Sequence, residues 1–341
     1  MAPKLAFQFY DLPLRHPFTI SRYTVNVQRT VIVTISDGII CGYGEATVNP
    51  YYNTTEEKLA QSLNKIKPVI ERLPELDPKE FWTQVEPQLL NDYFALCAVD
   101  VAYWDYFARI KKMPLRCFWS NLNTYTPLTS YTIGIDSIEL MKQKIFDMPW
   151  PKYKIKLGTD SDLKIIESLR AVTDSVFRID ANGAWNADQT ISYSKILKEM
   201  NVEFIEQPLK ADDFEGMAKV SAECVLPVIA DESCQRESDV EACVELFSGI
   251  NIKLMKCGGI TPALRMIEKA KLSGLLTMAG CMTESTIGIS AMVQIAPLLD
   301  YIDSDGALLL SDDIADGVSF EAGRISYVED YGTGAELRPA D

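Results

Sequence analysis

Histidine is almost missing. The 341 residues include one, His16, in the stretch PLRHPF near the N-terminus. It reads as a plain loop residue between prolines. A Ser-His-Asp triad, a histidine-rich zinc site and a histidine acid/base pair are therefore excluded, and proton transfer falls to Lys, Asp, Glu, Tyr or Cys. Basic charge is also short, at 33 Lys and Arg against 48 Asp and Glu, a net charge of −15. That balance argues against nucleic acid as a partner, although a local site can still be positive for an anionic substrate. No apolar run reaches the length of a membrane span. The opening MAPKLAFQFYDLPL lacks the basic start and apolar core of a secretory signal. The eight cysteines, at 41, 97, 117, 224, 234, 243, 257 and 281, form no C-x-x-C pair and no zinc-knuckle spacing. Most stand in apolar surroundings, as Cys97 does in ALCAVD, and read as reduced core residues of a cytoplasmic protein.

What is present is a chain long enough for two domains, with 47% hydrophobic residues to bury. Residues 1–125 combine strand patterns (KLAFQFYDLPL, TVIVTISDG, IICGYGEAT) with later helical ones (EEKLAQSLNKIKPVIERL, NDYFALCAVDVAYWDYFARIKK). Strands first and helices after point to an α+β unit. From 126 to 320 the rhythm is different. LTSYTIGI, YKIKLG, VFRIDAN, VEFIEQP, PVIADES, GINIKLMK, LLTMAGC and YIDSDGA recur as short strands with helical stretches between them. Eight β–α repeats predict a closed (β/α)8 barrel, its last turn shortened. Residues 321–341 read as extended chain packing back on the first domain.

Barrel active sites sit at the C-terminal ends of the strands. There FRIDAN ends in Asp180, EFIEQP in Glu206 and VIADES in Asp231. The separations, 26 and 25 residues, are one repeat each. Three neighbouring strands thus present one carboxylate apiece at one level. Such a cluster repels itself unless it shares a cation, and all-oxygen ligands favour Mg2+ first, with Mn2+ possible. Each acid alone would read as a helix cap or a local salt bridge. PKYKIKLGTD places Lys154 and Lys156 on one face of the strand just before Asp180. Alone, that face would read as charged and solvated. In GINIKLMKCGG, Lys253 points inward if Ile252 and Leu254 face the helices, and Lys256 falls near the strand end. Strands two and six stand across the barrel, so lysines approach the metal position from both sides.

The K-x-K strand, DAN, EQP, ADES and IKLMKCGG, in that order, resemble the enolase superfamily and, within it, the muconate-lactonizing-enzyme branch. The resemblance spans nearly the whole chain, N-terminal capping domain included. It implies Mg2+ on Asp180, Glu206 and Asp231, Lys156 and Lys253 as the acid/base pair, and Lys154 against the substrate carboxylate. The branch that uses a His-Asp base does not fit, since His16 lies outside the barrel. Asp303 and Asp305 in YIDSDGALLL resemble the D-x-D of the dipeptide epimerases, whose two acids hold the substrate's α-ammonium. Two carboxylates suit an ammonium and repel a succinyl or muconate carboxylate. By the same resemblance Arg22 in PFTISRYTV would pair with a glutamate side chain, and Thr132 in SYTIGI would touch substrate. Glu284 in GCMTEST fits the end of the seventh strand.

The reaction these residues imply is inversion of the α-carbon of the C-terminal residue of a dipeptide, Ala-Glu from murein recycling leading. One lysine removes the proton to give a planar enediolate, and the other returns one to the opposite face. The base lysine is expected to have its pKa lowered by burial and neighbouring cations. The rivals are o-succinylbenzoate synthase, N-succinylamino acid racemase or muconate cycloisomerase of the same superfamily, and a metal-binding barrel without catalysis. Side-chain preference is assigned to the loops at 15–24 and 47–53. Oligomeric state is left open, a homo-oligomer included.

Overall fold

The computed structural model describes residues 3–20, 23–122 and 124–339. The chain opens with an antiparallel sheet of β1 (Lys4–Thr19), β2 (Thr24–Ser36) and β3 (Cys41–Thr47), in that order. β1 continues past the expected Leu14. Its register with β2 slips between Pro13 and Phe18 and then resumes, Thr19 opposite Thr24. The two prolines around His16 hid this stretch, and His16, expected in a loop, lies exposed within β1.

Three helices follow, α1 (Glu56–Ile70), α2 (Pro78–Leu89) and α3 (Tyr93–Ile110); α1 and α3 pack on the sheet, and α2 packs on those two helices. α1 starts where Thr55 accepts from Lys58 N, with Glu56 and Glu57 in its first turn. Leu59, Leu63, Ile66 and Ile70 give it one buried face. α3 is buried from Phe94 to Ala108 because it lies between sheet and barrel. Gly42 and Gly44 let it press onto β3: a Cβ on Gly44 would stand 2.0 Å from Ala98 O.

The second part is a parallel sheet of eight strands in sequential order: β4 (Tyr131–Ile133), β5 (Lys152–Lys156), β6 (Val176–Asp180), β7 (Val202–Glu206), β8 (Val228–Ala230), β9 (Gly249–Ile252), β10 (Leu276–Gly280) and β11 (Tyr301–Asp303). A bridge between Thr129 and Ile302 brings the first and last strands together. All eight expected strands are present. α4 (Ile138–Asp147), α5 (Asp162–Arg170), α6 (Ala187–Glu199) and α7 (Phe214–Glu223) follow the first four strands. α8 (Val240–Cys243) and α9 (Leu254–Cys257) are single turns, followed by α10 (Ile260–Leu272) and α11 (Thr286–Met292). Among the described residues only a 3-10 turn, Gly306–Leu309, follows β11 as helix. Two small ribbons come after it, β12 (Ala315–Asp316) with β15 (Glu336–Leu337) and β13 (Ser319–Glu321) with β14 (Arg324–Ser326). The tail reaches the first domain, where Thr333 N donates to Asp105 of α3 at 2.7 Å and Leu115 N to Gly332 O at 2.7 Å.

Candidate active site

Register sets the site. Between β5 and β6, Lys154 lies opposite Arg178 and Lys156 opposite Asp180. Between β6 and β7, Asp180 lies opposite Glu206. Side chains of the same parity face the barrel axis, so Lys156, Asp180 and Glu206 form one layer and Lys154 with Arg178 the layer beneath. Asp231 follows β8 directly. Asp180, Glu206 and Asp231 are buried, and each offers a carboxylate oxygen within 4.8 Å of the other two. Left-handed residues end two of these strands, Asn182 at φ 46° and Gln207 at φ 35°. That conformation costs about 1–2 kcal/mol for a residue with a Cβ. Gln207 offsets it with four hydrogen bonds. Its Oε1 accepts from Asp231 N (2.9 Å) and Ser233 N (3.0 Å), and its Nε2 donates to Leu209 O and Ser233 Oγ (both 2.8 Å). The ends of β7 and β8 are thereby tied to each other.

The lysines meet these acids from two sides. Lys156 Nζ is 2.6 Å from Asp180 Oδ2, and Lys253 Nζ is 2.8 Å from Asp231 Oδ2. Lys156 stands on β5 and Lys253 just past β9, with three strands between them, so they project from opposite walls. Lys154 Nζ lies 2.6 Å from Glu206, 3.3 Å from Asp180 and 3.2 Å from Asp303. Lys256, carried by the turn α9, reaches back to Asp231 Oδ1 (2.6 Å) and Asp231 O (2.5 Å), and also to Cys234 O and Asn251 O. Asn251 Nδ2 donates to Glu206 Oε1 at 2.8 Å.

Burial alone would push all these carboxyls up. Lys156 and Lys154 overcome it at Asp180, which falls to about 2, and Lys253 and Lys256 take Asp231 well below the carboxylate range. Glu206 goes the other way, to about 7, through burial and the charge of Asp180. Lys253 departs from expectation. Burial is the largest single influence and acts to lower its pKa, but the charges of Asp231, Tyr52 and Glu206 together outweigh burial and raise it. Its nearest neighbours are carboxylates rather than cations.

At β11, Asp303 Oδ1 accepts from Arg178 Nη1 at 2.7 Å and from the Ser130 hydroxyl, while Oδ2 is the oxygen that pairs with Lys154. Asp305 Oδ2 accepts from Thr132 N at 2.6 Å, and burial with the nearby Asp303 raises its pKa to about 6. Glu284, in the loop after β10, is buried and pushed to about 8 by burial and by Glu45. Glu45, on β3 of the first domain, accepts from Ser285 N, Ser285 Oγ and Gly288 N, and so ties the cap to the start of α11.

An open cavity lies above this floor. Lys154, Lys156, Lys253, Asp231, Asp303, Asp305 and Thr132 line its base. Phe18, Ile20, Tyr23 and Val25 from the β1–β2 hairpin, Tyr51 and Tyr52 after β3, and Met282 after β10 line its upper wall. The first two groups fall in and around the segments 15–24 and 47–53. Arg22 lies outside the described residues. Sequence reasoning missed Arg178, Gln207, Asn251 and Glu45. Arg178 shares the parity of Asp180, and Asn251 that of Lys253, so alternation alone pointed both inward.

Residues 138–341 match the family described as enolase C-terminal domain-like, and residues 6–117 match the mandelate racemase / muconate lactonizing enzyme N-terminal domain. The L-Ala-D/L-amino acid epimerase of Flavobacterium johnsoniae is 52% identical over 334 residues, covering 98% of this chain and 99% of that protein. The L-Ala-D/L-Glu epimerase of Bacillus subtilis, solved with substrate, superposes with a TM-score of 0.91 at 26% identity, over 97% of this chain and 98% of the other. The dipeptide epimerase of Enterococcus faecalis V583, solved with Mg and L-Leu-L-Tyr, gives 0.90 at 28% identity, over 98% and 99%. With fold, register and relatives in agreement over nearly its full length, this chain belongs to the enolase superfamily, in its mandelate racemase / muconate lactonizing enzyme family and alongside the dipeptide epimerases.

Proposed function

We propose that the chain is an L-Ala-D/L-amino acid dipeptide epimerase that inverts the α-carbon of the C-terminal residue by two-lysine 1,1-proton transfer. The observation that carries this reading is the placement of Lys156 and Lys253 on opposite walls with Asp180, Glu206 and Asp231 between them. Three buried carboxylates offering oxygens within 4.8 Å of each other are a hard-donor set that fits Mg2+. Mg2+ bound there supplies positive charge for the substrate carboxylate.

The chain's own groups do the rest. Lys154, buried at the centre of the acids, faces the negative charge that develops on the substrate carboxylate when the α-proton leaves. Lys156 or Lys253 takes that proton, the carbon becomes planar in the enediolate, and the opposite lysine protonates the other face. Asp303 Oδ2 and Asp305 hold the ammonium of the first residue. Phe18, Ile20, Tyr23, Val25 and Met282 form a largely apolar wall for the C-terminal side chain, which suits uncharged residues. A relative named for D/L-amino acids in general supports that breadth. The same reading divides the chain into a cap (1–125), a barrel (126–320) and a C-terminal segment (321–341). The family matches, which leave 118–137 between them, support the first boundary. It also sets the enzyme in the cytoplasm, acting on peptides released from the cell wall. Among the described residues no helix is long and apolar enough to cross a membrane.

The test is a library of dipeptides and N-succinylamino acids incubated with Mg2+ in D2O and read by mass spectrometry. Expected is gain of one deuteron in Ala-Xaa members, uncharged Xaa above Glu, and none after chelation. Preference for Ala-Glu would assign Arg22 to the side chain. Exchange confined to N-succinylamino acids would favour the racemase reading, and no exchange in any member would defeat both.

A further inference from the structure

Beneath the acids lies a second charged layer. Arg178, on β6, is 1% exposed. Its Nε donates to Glu203 Oε2 at 2.8 Å, and its Nη1 to Ile302 O and Asp303 Oδ1, both at 2.7 Å. Its guanidinium carbon stands 5.3 Å from the ring centres of both Phe204 and Tyr301. Glu203 also accepts from Lys152 at 2.6 Å. The fork is therefore fixed at both ends and along its faces, as suits a guanidinium. It occupies Asp303 Oδ1 together with the Ser130 hydroxyl. Two donors on one oxygen fix the rotation of the carboxylate and leave Oδ2 in an ion pair with Lys154, 3.2 Å away, on a residue that lines the cavity. Without them both oxygens are free to turn onto the Lys154 ammonium.

We infer that Arg178 is a positioning residue for the ammonium subsite: by seizing Asp303 Oδ1 from below, with Ser130, it presents Asp303 Oδ2 to the charged amine of the substrate. This rests on the proposed dipeptide reading, in which Asp303 receives that amine. Arg178 touches neither substrate nor metal ligands, so its influence is specific to amine recognition.

The experiment compares wild type, Arg178→Met, Arg178→Lys and Ser130→Ala on Ala-Leu. It also measures binding of N-acetyl-Ala-Leu, which has no charged amine, and of Mg2+ by calorimetry. A misdirected charged hydrogen bond corresponds to roughly a tenfold loss. Expected for Arg178→Met is a KM for Ala-Leu raised about tenfold or more, kcat within about threefold, and N-acetyl-Ala-Leu and Mg2+ binding within about twofold. Arg178→Lys recovers part of the loss. If circular dichroism shows Arg178→Met unfolded, Ser130→Ala decides, since it removes the other donor while leaving every charge in place. A KM raised severalfold there, with Mg2+ binding unchanged, supports the inference, and an unchanged KM overturns it. Parallel losses for Ala-Leu, its acetylated form and Mg2+ would show a scaffold role and also overturn it. Wild-type enzyme idle on Ala-Leu and on every other free-amine dipeptide would instead remove the proposed function on which the inference stands.

Discussion

Asp231 divides its two oxygens between two lysines, Oδ2 to Lys253 and Oδ1 to Lys256. Lys256 has four acceptors within 3.1 Å and its side chain is fully buried, so it fixes the carboxylate against β9. Asp231→Asn removes one of three oxyanions and leaves two lysines short of a counterion. Mg2+ affinity, measured by calorimetry, is expected to fall at least ~10-fold. Affinity within twofold of wild type would place the metal away from Asp231. At this scale the acids and the K-x-K lysines were legible because one repeat separates the acids and strict alternation sets the lysines' side. Gln207 and Glu45 were not, because their hydrogen bonds reach 24 and 240 residues along the chain. The pKa shift of Lys253 was out of reach for a related reason. Alternation showed which way it points, whereas the sign of its shift depends on a 2.8 Å contact to Asp231.

The helix α3 joins the two parts of the molecule, and its contacts are close on both sides. Against β3 there is no room at Gly44, where an added methyl meets the backbone carbonyl of Ala98 at 2.0 Å. Gly44→Ala is expected to destabilise by about 3 kcal/mol, read from urea unfolding. A loss below ~0.5 kcal/mol would mean the helix and strand separate freely. On the barrel side, Asp100 accepts from Thr261 N (2.9 Å) and Thr261 Oγ1 (2.7 Å) at the start of α10, and burial raises its pKa to about 7. The folded chain keeps this proton up to about pH 7, whereas an unfolded aspartate releases it near ~3.9. Between these values the folded state binds more protons, so this group's contribution to stability falls as pH rises and is lost above about 7. Asp100→Asn does not titrate. Its stability relative to wild type, from urea unfolding at pH 5, 6 and 8, is expected to improve with pH. A gap constant across that range would mean that Asp100 is already ionised at pH 5. Elements of strong period were legible: eight strands and the long helices lie where alternation and 3.6-residue spacing put them. The single turns α8 and α9 and the end of β1 were not, since so few residues carry no period and neighbours decide their shape.

Taken whole, the molecule is a barrel that supplies charge and a cap that supplies shape, with the cavity at the seam. The barrel half of that division was readable because one strand end resembles the next. The cap half was readable only as two segments, because which of their side chains face the cavity depends on how a hairpin folds over a distant barrel. The central claim is that proton donors and acceptors stand on both faces of one bound carbon. The direct measurement is proton NMR in D2O with Mg2+, following the α-proton of each epimer of a dipeptide that the wild type interconverts. Expected is loss of the α-proton from both epimers with wild type, from one epimer only with Lys156→Ala, and from the other only with Lys253→Ala, neither variant interconverting them. If both variants spared the same epimer, or either still exchanged both, the two lysines would not stand on opposite faces of the substrate.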